Sequence, residues 1–203
     1  MEQKNIEAKG FNTPKTKVGQ TKMNLLIEAA EELFTTKGFY QTSISDICKH
    51  AKTAVGTFYI YFSTKSDIYR YMMDRYEHEI KQRLSDAIKD CKTREEKERE
   101  GIRCFIKYAV RNPNMYNIIW GSLSVDKNLF INYYVSFARS YSASLVHDGD
   151  QLTAPDPSAV AYMLMGISNF LGLRAIFEEM SDERIDAMVD ESLTHMLTNG
   201  ILK

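Results

Sequence analysis

This 203-residue sequence predicts an all-α fold of about nine helices, and three observations carry the prediction. Apolar residues recur at three- and four-residue spacing through most of the chain, and no stretch alternates convincingly with period two. Helix-capping pairs stand along it: Ser43 with Asp46, Thr64 with Asp67, Thr93 with Glu96. Ten Gly and four Pro are few, and 26% charged residues suit a helical protein in water. A chain of this length buries a proper core, as one unit or as a small domain joined to a larger one.

Residues 1–20 carry Lys4, Lys9, Lys15 and Lys17 with Gly10, Pro14 and Gly19 and no apolar period. They read as a flexible basic tail, or as an arm that reaches phosphate or the minor groove. A first helix is expected from about Lys22 to Lys37, with Leu26, Ala29, Ala30, Leu33 and Phe34 on one face and Gly38 as its stop. Ser43 and Asp46 open a second, whose apolar face is Ile44, Ile47 and Ala51. Lys52-Thr53 is a turn, and Val55–Tyr61 a helix too short to stand alone in water, anchored by Phe58 and Phe62.

A long helix follows from Lys65 to about Cys91, with Ile68, Met72, Tyr76, Ile80, Leu84 and Ile88 at every fourth position. Thr93 and Glu96 cap the next, which stops at Asn112-Pro113. Helices over about Asn114–Leu123 and Asp126–Val146 precede a loop at 147–155. Asp156 then caps a helix with Pro157 at its first position, and Ser181 caps the last, which Asn199-Gly200 ends.

The helix around 159–177 is apolar on nearly every side, which fits either a membrane span or deep burial. Ser168, Asn169 and Arg174 favour burial between subunits, and Gly166, Gly172 and Ala175 would let another helix approach closely. Val160, Leu164, Ile167 and Leu171, with Ile185, Met188, Val189 and Met196 on the final helix, are the expected homodimer interface.

Net charge is −1, but its distribution is uneven. Residues 1–65 hold nine Lys against six Asp and Glu, while residues 66–203 hold 17 Lys and Arg against 21 Asp and Glu. A basic head on an acidic body turns the head toward phosphate. His50, His78, His147 and His195 show no ligand spacing, and Cys48, Cys91 and Cys104 no CxxC, so no metal and no cofactor are expected. The odd cysteine count and the lack of a legible signal peptide point to a reducing cytoplasm, with Cys48 as a core thiol.

Around the short helix, the residues left over after packing are Thr53, Ala54, Val55, Thr57, Tyr59 and Tyr61. A small helix presenting hydroxyls and methyls, docked on another, is how a helix-turn-helix reaches a DNA major groove. The first 69 residues contain no arginine, so the guanidinium–guanine contact is missing here, and thymine methyls and single hydrogen bonds are the expected readout. Gly56 lets the backbone come close to the duplex. Lys49 and Lys52 either touch the DNA backbone or are simply solvated.

Here the sequence resembles the TetR family of transcriptional regulators. The likeness lies in Val55-Gly56-Thr57-Phe58-Tyr59-Ile60-Tyr61-Phe62 followed by Ser63-Thr64-Lys65, and in the lead-in Ala29-Ala30-Glu31-Glu32-Leu33-Phe34, Lys37-Gly38-Phe39 and Thr42. It covers roughly residues 21–75. The resemblance implies a basic arm at 1–20, a DNA-binding domain at 21–66 with its helix-turn-helix at about 43–62, and an effector-binding and dimerisation domain at 67–203. It also implies that Thr42, Tyr59, Tyr61 and Lys65 hold phosphates, and that a near-palindromic operator in double-stranded DNA is released when a small molecule binds the body.

The body is rich in large soft side chains. Tyr108, Met115, Tyr116, Trp120, Tyr133, Phe137, Tyr141, Met165, Asn169, Phe170 and Arg174 are the expected effector pocket, with Arg174 or Arg139 as an anchor for an acid group. An aromatic or amphipathic effector is favoured. No catalytic residues are expected, because no nucleophile–base arrangement, paired His ligands or phosphate-binding Gly-rich loop occurs. Two other readings are a nucleoid-type DNA-binding protein without an effector, and a helical enzyme.

Overall fold

In the computed structural model, residues 11–147 and 156–199 are described, His147 by its backbone alone. They form α1 (Lys17–Thr36), α2 (Ile44–His50), α3 (Val55–Tyr61), α4 (Lys65–Ile88), α5 (Arg94–Arg111), α6 (Pro113–Val125), α7 (Lys127–His147), α8 (Pro157–Phe177), α9 (Asp182–Ala187) and α10 (Thr194–Asn199). A π-helical stretch, Met188–Leu193, joins α9 to α10, so the three make one rod and the described residues nine rods in all. No strand occurs among the described residues; Phe11 and Phe62 make an isolated bridge.

The caps fall where the sequence places them. Ser43 Oγ accepts from the Asp46 N–H (3.0 Å) and Asp46 accepts from the Ser43 N–H (2.9 Å). Thr93 with Glu96 closes the same reciprocal box, and Asp156 accepts from Ser158 and Ala159 behind Pro157. Gly38 ends α1 with φ +94°, a conformation that a Cβ would strain.

The start of α1 differs from expectation. Thr16 caps it by accepting from the Gly19 N–H, so the helix begins at Lys17 and not near Lys22. The first turn has no apolar face, and Gly19 reads as a breaker; in the structure it is a close-approach residue, since a Cβ there would stand 2.8 Å from Pro14 Cβ. Residues 11–16 are also tied down. The Asn12 N–H donates to the Tyr61 carbonyl (2.8 Å), and Phe11 meets Tyr71 edge-on. The rest of the expected arm and the expected loop beyond His147 lie outside the described residues.

The chain divides into two compact units. One holds the chain up to Tyr76 with Asn117–Phe130, the other Glu77–Tyr116 with the chain from Ile131. The division falls inside α4, ten residues beyond the expected boundary, because the first half of α4 is part of the first unit's core. Tyr69 packs on Phe34 and Phe39 and donates to the Ile118 carbonyl, while Met72 and Ile68 are fully buried. Met23, Leu26, Ile27 and Phe34 of α1 complete this core with Ile47, Phe58 and Phe62. In the second unit, Ile102 and Ile106 of α5 meet Leu164 and Ala175 of α8 and Ile185, Val189 and Leu193 of the last rod.

Candidate functional site

α3 carries its two functions on opposite faces. Phe58 and Phe62 are sealed in the core, which holds a helix too short to persist by itself. Ala54, Val55, Gly56 and Tyr59 are exposed and Thr57 is half-exposed. Lys52, exposed at the turn, takes a positive φ of 52°. Nothing lies within 4 Å of where a Gly56 Cβ would stand, so the fold does not require glycine there. The space that the missing side chain leaves is on the outside.

Four of the expected DNA-contacting residues are engaged within the domain. Thr42 is 1% exposed and donates to the Gly38 carbonyl (2.7 Å), closing the turn after α1. Tyr61 is 6% exposed and packs inside, whereas Tyr59, two residues earlier on the other side of the helix, is 55% exposed. Lys65 is half-buried. Its Nζ donates to the carbonyls of Phe39 (2.5 Å) and Thr42 (2.7 Å) and lies over the Phe39 ring, and desolvation lowers its pKa. Thr53 turns its hydroxyl inward beside the Cys48 thiol, whose pKa burial raises. These side chains therefore shape the turn around α2 and α3 rather than its outer surface.

Asp46 joins cap and neighbour. Lys37 donates to it at 2.7 Å across the gap from α1, and this bond, with the Ser43 N–H, holds its carboxyl far below the ordinary range. α1 and α2 are thereby fixed at the ends nearest the turn.

In the second unit a cavity of about 320 Å³ opens between α4, α5, α7 and α8. Leu84, Ile88, Ile102, Phe105, Phe137 and Met165 are among its apolar lining. Its polar corner is built on α5. Arg94 Nε donates to Glu98 Oε1 (2.6 Å), Arg94 Nη1 donates to Ser144 Oγ (3.1 Å), and Tyr141 donates its hydroxyl to Glu98. Both charged partners are buried. Lys81 stands further along, held by Glu77 (2.6 Å) and Ser136 (3.0 Å) above the Phe137 ring. Burial holds the Tyr133 and Tyr141 phenols well above their ordinary value and pushes Tyr134 up to about 12.

The cavity gathers Tyr133, Phe137, Tyr141, Met165 and Asn169 from the expected pocket and leaves the others out. Tyr108 and Met115 are core, and Tyr116 donates to the Asn169 carbonyl (2.9 Å) beside Gly172, where a Cβ would collide with its hydroxyl. Trp120 belongs to the first unit, against Phe130. Phe170 is 66% exposed, Arg174 is an exposed partner of Glu178, and Arg139 is exposed, so neither arginine anchors a ligand in this cavity. Arg94, Glu98 and the lower face of α4 were missed. One signal was available: Arg94 and Glu98 continue the apolar stripe of Ile102 and Ile106 on α5, where charge is out of place.

Three residues of the expected dimer face are buried within the unit itself, and the other five are partly buried. Leu164, Ile185 and Val189 are the second unit's own core, with Val160, Ile167, Leu171, Met188 and Met196 packed against it. α8 is long and apolar enough to cross a membrane by length and composition, yet its buried residues, Ala161, Leu164, Met165, Ser168, Gly172 and Ala175, fall on one side. The other side exposes Tyr162, Met163, Phe170 and Phe177. Its apolarity on all sides hid which face is inward. Among the described residues no group of three or more His, Cys, Asp or Glu could hold a metal ion.

Known proteins resemble the chain in two ways. The family model described as bacterial regulatory proteins, tetR family, matches residues 26–72. The HTH-type transcriptional regulator HbdR of Aromatoleum sp. (strain CIB) is 35% identical over 72 residues, 34% of this chain and 31% of that protein. Matches to the curated relatives span 19% to 37% of their length. In fold, the fatty acid degradation regulator FadR of Bacillus halodurans is similar with a TM-score of 0.76 at 16% identity, covering 93% of this chain and 98% of that one. FadR of Bacillus subtilis, solved in complex with stearoyl-CoA, is similar at 0.71 and 21% identity, covering 88% and 99%.

Proposed function

We propose that this chain, whose N-terminal part is a TetR-family DNA-binding domain, is a dimeric transcriptional repressor that a small molecule releases from a near-palindromic operator. One observation carries the DNA-binding half: α3 is held by Phe58 and Phe62 while Ala54, Val55, Gly56 and Tyr59 are left bare on its outer face. A helix so short, supported from behind, exists to present that face. The largely apolar cavity with one polar corner supports the effector half. Long-chain acyl-CoA esters, the class seen in the Bacillus subtilis FadR complex, are the first effectors to try.

A soluble cytoplasmic protein, with no catalytic role, follows from this reading. The homodimer would use the exposed stripe of α8, Tyr162, Met163, Phe170 and Phe177, in place of the residues that the core has claimed. A two-fold dimer presents two copies of α3 to two half-sites.

Binding-site selection from random duplex DNA tests this directly. A palindromic consensus should emerge, bound about a thousandfold or more tighter than random sequence. Equal affinity for every duplex would instead favour a nucleoid-type protein. With the operator in hand, acyl-CoA esters should lower its affinity on the scale of 1–3 kcal/mol, and operator should lower effector affinity by the same factor.

A further inference from the structure

We infer that α3 reads the 5-methyl group of thymine, seated in a notch at Gly56 between Tyr59 and Ile60, so that each operator half-site carries thymine where this notch meets the major groove. This deepens the operator reading and rests on it. The residue types of α3 allow two readouts, methyl contact and single hydrogen bonds, and the layout of its outer face favours the first. No residue of Val55–Tyr61 is charged. At about 100° per residue, Gly56 points away from the midpoint between Phe58 and Tyr61, the buried residues of this helix. Tyr59 and Ile60 stand one turn further on, one to each side of it, 55% and 59% exposed. Val55, 44% exposed, flanks the notch beyond Tyr59, and half-exposed Thr57 flanks it beyond Ile60.

The notch is real space. Nothing lies within 4 Å of where a Gly56 Cβ would stand. The hydroxyls of this region lie aside from it: Thr53 Oγ1 is buried, and Thr57 sits at the flank. Three large apolar side chains around a glycine, on the solvent side of a seven-residue helix, make a patch and not the scattered singles that any surface carries. Ile60 is thereby added to the DNA-facing residues.

The chemistry of the groove supplies the occupant. Base pairs show donors and acceptors on their major-groove edges, and the thymine 5-methyl is the one apolar knob among them. The guanidinium that reads guanine is missing, since the first 69 residues contain no arginine. Lys49 and Lys52 are exposed at the end of α2 and in the turn that leads into α3, where cations can meet the flanking phosphates. A patch without charge, in a head with nine Lys against six Asp and Glu, suits a groove between phosphates better than an apolar protein face.

Two base analogues separate the methyl from the hydrogen-bonding edge. In the operator recovered from random DNA, each half-site thymine is replaced in turn by deoxyuridine, which lacks only the methyl. Each T·A pair is also replaced by C·G and by 5-methylcytosine·G, which differ from each other only in that methyl. Affinities of the full-length protein are read by fluorescence anisotropy. At one thymine or two adjacent ones in each half-site, deoxyuridine should weaken binding about fourfold, the worth of one buried methyl group, and about fifteenfold when both half-sites lose it. At the same place 5-methylcytosine should bind about fourfold tighter than cytosine. Ile60→Ala, at an exposed position where alanine suits a helix, should keep the parent's circular dichroism and bring both ratios to about twofold or less. Deoxyuridine without effect at every position, or a loss that the two cytosines do not reproduce, overturns the methyl readout and leaves the operator reading standing. Unchanged ratios in Ile60→Ala overturn the seat beside Ile60. A selection that returns no palindrome rejects the operator reading, and this inference with it.

Discussion

Gly56 shows at the scale of one residue how a binding surface can be told from a packed one. Nothing within 4 Å would meet its Cβ, so an alanine costs the fold nothing and favours the helix by up to about 1 kcal/mol. Gly56→Ala should therefore melt at the same temperature as the parent or slightly higher, while its operator affinity falls because the methyl occupies the space left for the duplex. Thermal denaturation beside fluorescence anisotropy checks both halves; undiminished operator affinity would remove Gly56 from the DNA-facing side. Side-chain type is legible in a sequence, but direction is less so. Tyr59 and Tyr61 look alike there, and the turn of α3 sends one outward and the other into the core. Lys65 announces a charge. That its three donors are mostly spent on the Phe39 and Thr42 carbonyls depends on a turn twenty-odd residues away.

Elements were more legible than contacts, because caps are local. Ser43, Thr93, Asp156 and Ser181 each start the helix that they appear to start. The exception, Thr16, caps through its own hydroxyl with no acidic partner three residues on, and the turn that it begins has no apolar face. Ser43→Ala should cost about 1 kcal/mol of stability, measurable by denaturant titration, because it leaves the Asp46 N–H without its acceptor. Acid should reach the same helices. Asp46 and Glu96 in the capping boxes, and Asp186 between Lys107 and Arg103, all have pKa values lowered by the donors that face them. A lowered pKa means that the stabilisation is complete above the ordinary carboxylate range and is lost as pH falls through the folded value. Arg103 and Lys107 on α5 meet Asp186 at 2.7 Å, and Arg111 meets Asp182 at 2.5 Å. These pairs are partly exposed, so salt screens them. Hydrogen-exchange protection over 182–199, taken relative to the intrinsic amide rate at each pH, should fall at high salt and at low pH before that of α5 and α8 does; uniform protection would show that the apolar contacts alone hold the rod.

For the molecule as a whole, the predicted class and the order of the helices stand, and the placement of faces is where the sequence ran out. An apolar helix such as α8 has no visible inside until its neighbours are known, so core residues were read as interface. Met163→Glu with Phe170→Glu should yield a folded monomer by light scattering and circular dichroism, since both side chains are 66% exposed in a single chain. A dimer that survives both charges would place the interface elsewhere. The cavity was half legible for a related reason: its aromatic wall on α7 is conspicuous in composition, while its charged corner needs α5 to be brought alongside. Buried phenols also set an upper limit on pH. Tyr133, Tyr134 and Tyr141 titrate above the ordinary phenol value of 10.0 because burial disfavours the phenolate. A raised pKa contributes stability that is whole below that value and is lost as pH climbs through the folded one. Tyrosinate absorbance should rise late and cooperatively, together with loss of helicity; gradual titration without unfolding would mean that the phenols are open to water.

The π-helical stretch of the last rod bears on what lengths this chain tolerates. Thr194 Oγ1 donates to the Val189 carbonyl, five residues back, at 3.0 Å, and the widened turn keeps Ile185, Val189 and Leu193 on one core although a strict α-helix drifts round at four-residue steps. A π turn holds one residue more than the α turn it replaces. Deleting a single residue between 188 and 193 would let the rod close into plain α-helix with both flanks in place. The same deletion within α8 would swing everything beyond it by about 100° and turn Met163 or Phe170 against the core. Among related chains, single-residue gaps should therefore gather at this turn, and a length difference there says nothing about a change of fold.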